Sequence, residues 1–356
     1  MSLPIRDDVP LAPLTTLELG GRARHLVEAA DEATLLEALA WAEARGVPAF
    51  VLGGGSNVVV ADAGFPGLVV RGATRGRSYD YAGREVRLTA AAGEPWDALV
   101  ADTVARDLAG LECLSGIPGL AGATPIQNVG AYGQEVADTI RSVRVFDRRD
   151  ELVLELPASE CAFGYRDSAF RRDHGRHVVL AVTFGLRLNG APTLRYRELA
   201  DALAGAAAPT LAATRDTVLA LRRRKSMVID AADPNRRSVG SFFTNPVVPA
   251  AAAEQLAARA AAEGVVASAS DVPRWPAGAG HAKLSAGWLI ERSGIARGLK
   301  RGNVGVSSAH ALALVHHGGG STAELLALAR HVRDTVKARF EITLTPEPIL
   351  VGATLD

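Results

Sequence analysis

The stretch Leu52-Gly53-Gly54-Gly55-Ser56-Asn57-Val58-Val59-Val60 decides how this chain is read. It follows the apolar run Ala49-Phe50-Val51, so the glycines come directly after a strand. A glycine turn after a strand invites two nucleotide-binding readings. A dinucleotide loop needs G-x-G-x-x-G opening a helix, so that the pyrophosphate meets the helix N-terminus. Here Val58 stands where the third glycine should be, and β-branched residues continue as a strand. A phosphate loop of the Gly-Lys-Ser/Thr kind needs a lysine that is missing. What remains is strand, glycine turn, strand. Such glycines let backbone N–H groups cradle a phosphate, with Ser56 and Asn57 as further donors. The same segment also reads as a plain tight turn.

Outward from this point, the periodicity predicts a helix over 31–45, with Asp31 as N-cap and Gly46 and Pro48 past its end. Strands are expected at 68–70 and 84–91, and a helix over 95–109 with Pro95 at its start. Val143–Phe146 and Leu152–Leu156 read as a hairpin, and Val178–Leu188 as a long strand. Helices are expected over 214–226, 249–263, 282–292 and 322–338, the last opened by Ser321, and a final strand over Glu341–Leu344. The alanine-rich stretches 202–213 and 250–262 read as small-residue helix faces and loops. A second glycine cluster spans 116–133, with five glycines and two prolines among Thr, Gln and Asn. It is poorly suited to regular structure and well suited to a donor-rich wall along a flat ligand, although an ordinary loop reads equally well. A third, Gly318–Gly320, reads as a flexible surface turn.

The chain has 356 residues, 48% hydrophobic and 22% charged, which implies two or three domains with real cores. Lys+Arg and Asp+Glu are both 39, and this balance argues against non-specific nucleic-acid binding or anionic lipid as partner. Cys113 and Cys161 are two isolated cysteines, neither a disulfide framework nor a zinc set, and read as buried thiols in a reducing compartment. His316-His317 has no companion ligands, so no metal is expected. No secretory signal or membrane span is apparent, and a cytoplasmic location is expected, with no protein partner required.

Seven motifs in order resemble the UDP-N-acetylenolpyruvoylglucosamine reductase family. They are 15–21 (TTLELGG), 52–57, 117–133, Phe163-Gly164-Tyr165-Arg166-Asp167-Ser168, 240–246 (GSFFTNP), 283–291 (KLSAGWLIE) and Pro346-Glu347. The resemblance implies an α+β chain: a two-subdomain FAD-binding fold of the vanillyl-alcohol-oxidase-like type plus a C-terminal α/β substrate-binding domain. The implied division is FAD subdomains over 1–74 and 75–220, a substrate domain over 221–338, and a segment 339–356 returning to the active site. It implies FAD as cofactor, NADPH as reductant and UDP-N-acetylglucosamine enolpyruvate as substrate, reduced to UDP-N-acetylmuramate for peptidoglycan. NADPH and substrate would use one pocket in turn. An oxidase of the same fold and a non-catalytic flavin-binding relative are the alternatives.

The resemblance also carries residue roles. Ser241 corresponds to the proton donor, Arg166 to the group stabilising charge on the substrate carboxylate, and Glu347 to a group that orients or polarises the reacting atoms. Read without it, Ser241 is a turn serine, Arg166 a salt-bridge partner of Asp167, and Glu347 an exposed turn glutamate. FAD contacts are implied at Leu52, Gly53, Gly54, Gly55, Ser56 and Asn57. On the second cluster they fall at Ile117, Pro118, Gly119, Gly122, Ala123, Thr124, Gln127, Asn128, Gly130, Ala131, Tyr132 and Gly133. Substrate contacts are implied at Tyr165, Tyr196, Lys225 and Asn245, with Tyr196 on a loop that closes over substrate in one subgroup. Lys225 ends the run Arg222-Arg223-Arg224-Lys225, which otherwise reads as a solvated helix face. After Pro346-Glu347 the chain continues Pro348-Ile349-Leu350, where many relatives have Val and a basic residue.

Overall fold

The computed structural model describes residues 3–205 and 208–355; Ala206 and Ala207, inside the alanine-rich stretch 202–213, lie outside the described residues. The chain divides into two compact units. The first comprises Met1–Val9, Arg22–Gly55 and Phe65–Ile229. The second comprises Pro10–Gly21, Ser56–Gly64 and Asp230–Asp356.

The first unit holds a two-stranded sheet, which pairs Gly130–Ala131 with Gln134–Glu135, and two larger ones. One runs in the order Arg6–Pro10, Arg22–Ala29, Phe65–Gly72, Ala49–Leu52, and its last three strands are parallel. Helix α1, Glu32–Glu43, covers it; Asp31 accepts from the Thr34 amide at 2.7 Å and so caps it as expected. Leu35, Ala38 and Leu39 pack on Val27, Leu68 and Val70. The other sheet is antiparallel, in the order Leu152–Pro157, Ile140–Asp147, His177–Leu188, Glu85–Ala91, Arg77–Ala82. Helix α2, Trp96–Ala105, packs Trp96, Leu99 and Val100 into its core. This helix is shorter than the expected 95–109, because Leu108–Ala109 instead pairs with the end of His177–Leu188. The unit is completed by α3, Ala169–Arg172, α4, Arg197–Leu203, and α5, Leu211–Arg224.

In the second unit, Ser238–Ser241, Ala313–His316, Val304–Val306 and Lys300–Arg301 form one antiparallel sheet. Val247–Pro249, His281–Leu284 and Arg274–Pro276 form another. Helices α6, Ala250–Ala262, α7, Ala286–Arg292, and α8, Thr322–Phe340, share the core with them. The helix expected over 282–292 is therefore split. Its first residues are the central strand of a sheet, and Ser285 caps α7 by accepting from the Trp288 amide.

Two early segments belong here because of what they bind. Leu17, Leu19 and Val59 are buried in this core, and Glu18 pairs with Arg236 and Arg237. Asp62 accepts the amides of Thr322 and Ala323 at 2.7 and 2.9 Å, placing a carboxylate at the start of α8. Val58–Val60 pairs in parallel with Ile349–Val351. The last strand is thus Ile349–Val351 and not Glu341–Leu344. Glu341 takes the left-handed conformation, φ 61°, that ends α8, so the chain turns there before it can extend. Gly318–Gly320 forms a bend at the surface, with Gly319 exposed: Gly320 N donates to His316 Nε2 at 3.0 Å, and Gly318 and Gly319 supply the positive φ values of 102° and 68°.

Candidate active site

The two large glycine clusters meet backbone to backbone. A Cβ on Gly54 would lie 2.9 Å from Gly119 Cα, so the first loop tolerates no side chain there. Gly119 itself has φ 116°. The second cluster is pinned along its length. Gly119 and Gly122 exchange bonds with the 92–96 turn: Trp96 N donates to Gly119 O at 3.0 Å and Gly122 N to Ala92 O at 2.8 Å. Asp97 Oδ1 accepts Gly116 N at 2.6 Å. Burial pushes the Asp97 carboxyl up, but its two bonds from Arg215 and the Gly116 amide hold it below the usual range. Ile117 is partly buried, Leu52 and Thr124 fully, and Thr124 Oγ1 donates to Ala121 O. Glycine backbone of this kind lets N–H groups come close to a phosphate or a flat ligand such as FAD.

Beyond it, Asn128 and Gln127 are committed within the protein. Asn128 Nδ2 donates to Glu135 Oε2 at 2.8 Å and Gly164 O at 2.9 Å, and its Oδ1 accepts from Ala137 N. Gln127 Oε1 accepts from Arg171 Nη1 at 2.8 Å. Gly130–Ala131 pairs with Gln134–Glu135 around Tyr132 and Gly133, both at positive φ.

The 163–168 motif folds into a tight turn. Gly164 N donates to Asp167 O and Asp167 N to Gly164 O, leaving Tyr165 and Arg166 at the tip. Ser168 anchors the exit by donating to Ile126 O at 2.5 Å and accepting from Arg171 N. Arg166 has φ 52°, an uncommon conformation for a non-glycine residue. Its Nη2 donates to Gly130 O at 2.6 Å and Nη1 to Asn128 O at 3.4 Å. The structure gives Asp167 to Arg172, at 2.7 Å, and not to Arg166. Arg166 also stands 5.6 Å over the Tyr165 ring.

A corner forms around Tyr132. Tyr196, at the start of α4, meets its ring edge-on at 5.4 Å, and Lys225 Nζ, at the end of α5, is 5.7 Å from it. Lys225 is bonded to Glu198 Oε2 at 2.6 Å. A Cβ on Gly133 would lie 2.9 Å from Arg195 Cβ, so this glycine allows the tyrosine segment its close approach. Burial pushes the Tyr132 hydroxyl up to about 12, keeping it a neutral donor.

In the second unit, Ser241 ends a bulged strand. The pairing with Ala313–His316 shifts register between Ser238 and Ser241, and Gly240 takes φ 74°. Bulges re-aim the next side chain, and glycine permits this one. Glu347 lies alongside: Glu347 N donates to Phe242 O at 2.8 Å, and Thr244 N to Thr345 O at 3.0 Å. Ile349 N donates to Asn57 O at 3.0 Å, tying the same segment to the end of the first glycine turn. Asn245 Oδ1 accepts from Ala286 N at 2.9 Å at the start of α7. Both nitrogens of His316 are engaged within the protein, with Leu17 O and Gly320 N. Among the described residues no group of three or more His, Cys, Asp or Glu gathers as a metal site, and no helix is long and apolar enough to cross a membrane.

Two family models match this chain: an FAD binding domain over residues 23–156, and the C-terminal domain of UDP-N-acetylenolpyruvoylglucosamine reductase over 233–351. The reductase of Saccharopolyspora erythraea is 50% identical over 352 residues, 97% of this chain and 95% of that one. The reductase of Thermobifida fusca is 46% identical over the whole of both chains. The crystal structure of the Thermus caldophilus reductase superposes with a TM-score of 0.67 at 26% identity, over 98% of this chain and 100% of that one. The chain belongs to the UDP-N-acetylenolpyruvoylglucosamine reductase family.

This member of the family is an FAD-dependent oxidoreductase: two lobes of an FAD-binding fold, followed by the reductase C-terminal domain. Several of its organising residues escape sequence reading. Buried Glu112 accepts from Gly110 N and Thr193 N, both at 2.8 Å, and Gln134 Nε2 reaches it at 3.3 Å, joining three distant segments below the reductase's second glycine wall. Glu198, which pairs with Lys225 and acts on Tyr132, belongs to none of the seven motifs. Glycine spacing flags a loop, but nothing in the sequence flags which distant carboxylate will hold it.

Proposed function

We propose that the chain catalyses the NADPH-dependent reduction of UDP-N-acetylglucosamine enolpyruvate to UDP-N-acetylmuramate, in the cytoplasm, for peptidoglycan synthesis. The observation that carries the reading is the pairing of Glu347 with the Ser241 strand through Phe242 O, in a chain of this family. Residues 52–57 and the glycines of 117–133 would hold FAD, which when bound supplies hydride transfer between nicotinamide and substrate. Hydride addition to the vinyl carbon leaves negative charge on the adjacent carbon and its carboxylate. Arg166, preset by its bonds to Gly130 O and Asn128 O, would bind that carboxylate and stabilise the charge. Ser241 would deliver its hydroxyl proton to the adjacent carbon, since an enediolate is basic enough to accept from a positioned alcohol. Glu347, stiffened between Pro346 and Pro348, would orient the reacting group. Tyr165, Tyr196, Lys225 and Asn245 would bind substrate, with Lys225 on the diphosphate. The FAD lobes are assigned to 1–74 and 75–220, substrate binding to 221–338 and return to the site to 339–356.

The test is Ser241→Ala. The flavin absorbance change with NADPH alone should persist, while product formation slows by about 10²–10⁴-fold. Product formation at the wild-type rate would remove Ser241 from the mechanism.

A further inference from the structure

The corner around Tyr132 carries more positive charge than it has partners for. Arg222, Arg224 and Lys225 converge there from the last turn of α5 and its C-cap. Arg222 Nη2 donates to Met227 O at 2.6 Å, but its buried Nε has no hydrogen-bond partner. Burial lowers the Arg222 pKa, as it does for a cation without a close counter-ion. Asp97, a carboxylate that acts on Arg222, is already bound in a fork by Arg215. Glu198 is the acid that meets this cluster: 2.6 Å from Lys225 Nζ and 3.8 Å from Arg224 Nη2.

We propose that Glu198 holds the place of the substrate's diphosphate, occupying Lys225 until the nucleotide displaces it, and so sets affinity for the UDP moiety. This rests on the reading of Lys225 as a diphosphate ligand. Three features favour displacement over a permanent bridge. Glu198 and Lys225 side chains are 38% and 33% exposed, so the pair is cheap to open. A diphosphate offers more charge and more acceptor oxygens to three cations than one carboxylate does. Glu198 also lies two residues after Tyr196, on the first turn of α4, so its release frees the segment that bears the ring over Tyr132. The pair therefore couples two events, nucleotide arrival at Lys225 and movement of Tyr196. Glu198 is a positioning residue here and takes no part in hydride or proton transfer.

The experiment is calorimetric titration of UDP into the FAD-loaded enzyme, for wild type, Glu198→Gln, Lys225→Met and the double variant. Glutamine keeps the shape and removes the charge. Loss of a competing pair worth ~0.4–1 kcal/mol should tighten UDP binding by about 2- to 5-fold in Glu198→Gln. The gain should vanish in the Lys225→Met background, as a pairwise coupling requires. Unchanged or weaker UDP binding in Glu198→Gln, beside a Lys225→Met that has lost affinity, overturns the placeholder role alone. A gain that persists without Lys225 also overturns it. Wild-type UDP affinity in Lys225→Met overturns the assignment of Lys225 itself, and the placeholder with it.

Discussion

Gly54 has no room for a methyl group, because its neighbour is backbone: Gly119 Cα lies 2.9 Å from where the carbon would sit. Backbone held on both sides cannot yield as a flexible side chain can. Gly54→Ala should therefore purify with little FAD and a lowered melting temperature. Gly53→Ala, which meets only Leu120 Cδ1 at 3.8 Å, should leave the melting temperature of the flavin-free protein close to wild type. A Gly54→Ala variant with full flavin absorbance would show that the two walls part easily. Asp147 illustrates a different single-residue effect. It is fully buried and accepts from Arg176 Nε and Nη2 at 2.9 and 2.6 Å and from the Arg149 amide. The Arg176 bonds hold its carboxyl well below the ordinary range; burial opposes them and the Arg149 and Asp150 amides assist. A depressed folded pKa stabilises above the unfolded value of about 3.9, and that stability is lost as pH falls below it. Asp147→Asn should thus melt lower than wild type at pH 7, by about 2–4 °C, with the gap closing as pH drops towards 2. A constant gap across that range would contradict the linkage.

Helix α8 is the best specified element in the chain. Ser321 accepts from Glu324 N at 3.1 Å while Glu324 Oε2 accepts from Ser321 N at 2.9 Å, a reciprocal cap that its sequence announces. Ser321→Ala should cost about 1 kcal/mol in urea unfolding of this unit, and no change would mean that Asp62 alone holds the helix start. Asp62 is the part that the sequence does not announce: it lies 260 positions away and still accepts the first two α8 amides. The helix boundaries near Asp31 and Ser321 were legible for this reason, since a cap is local. The His281–Leu284 and Ile349–Val351 strands were not, because a three- or four-residue strand exists only through a partner brought from elsewhere.

The C-terminal segment shows how such long-range pairing organises the chain. Ile349–Val351 runs in parallel with Val58–Val60, the strand that leaves the first glycine turn. Removing residues 346–356 should abolish product formation, through loss of Glu347. It should also lower the thermal stability of the second unit, because Val59 would lose its sheet partner in the core. Retention of full turnover by the truncated enzyme would exclude Glu347 and the returning strand together. The family resemblance, taken as a proposal, has NADPH and substrate using one pocket in turn, and this has a kinetic signature. Initial rates should give parallel double-reciprocal lines for NADPH and the enolpyruvyl sugar, and intersecting lines would refute shared occupancy.

Local pattern was enough to locate the two glycine clusters and the helix caps, because each depends on residues within a few positions of one another, and the whole chain supplied the order of seven motifs. Family resemblance is also what proposes roles for Arg166, Ser241 and Glu347. Long-range contacts were needed to place residues 10–21 and 56–64 with the C-terminal unit, to give Asp167 to Arg172 and to set Lys225 against Glu198. Such choices are competitions among charges and strands far apart in the chain. Folding settles them by which partners the packed core brings within reach, and no local pattern records the outcome.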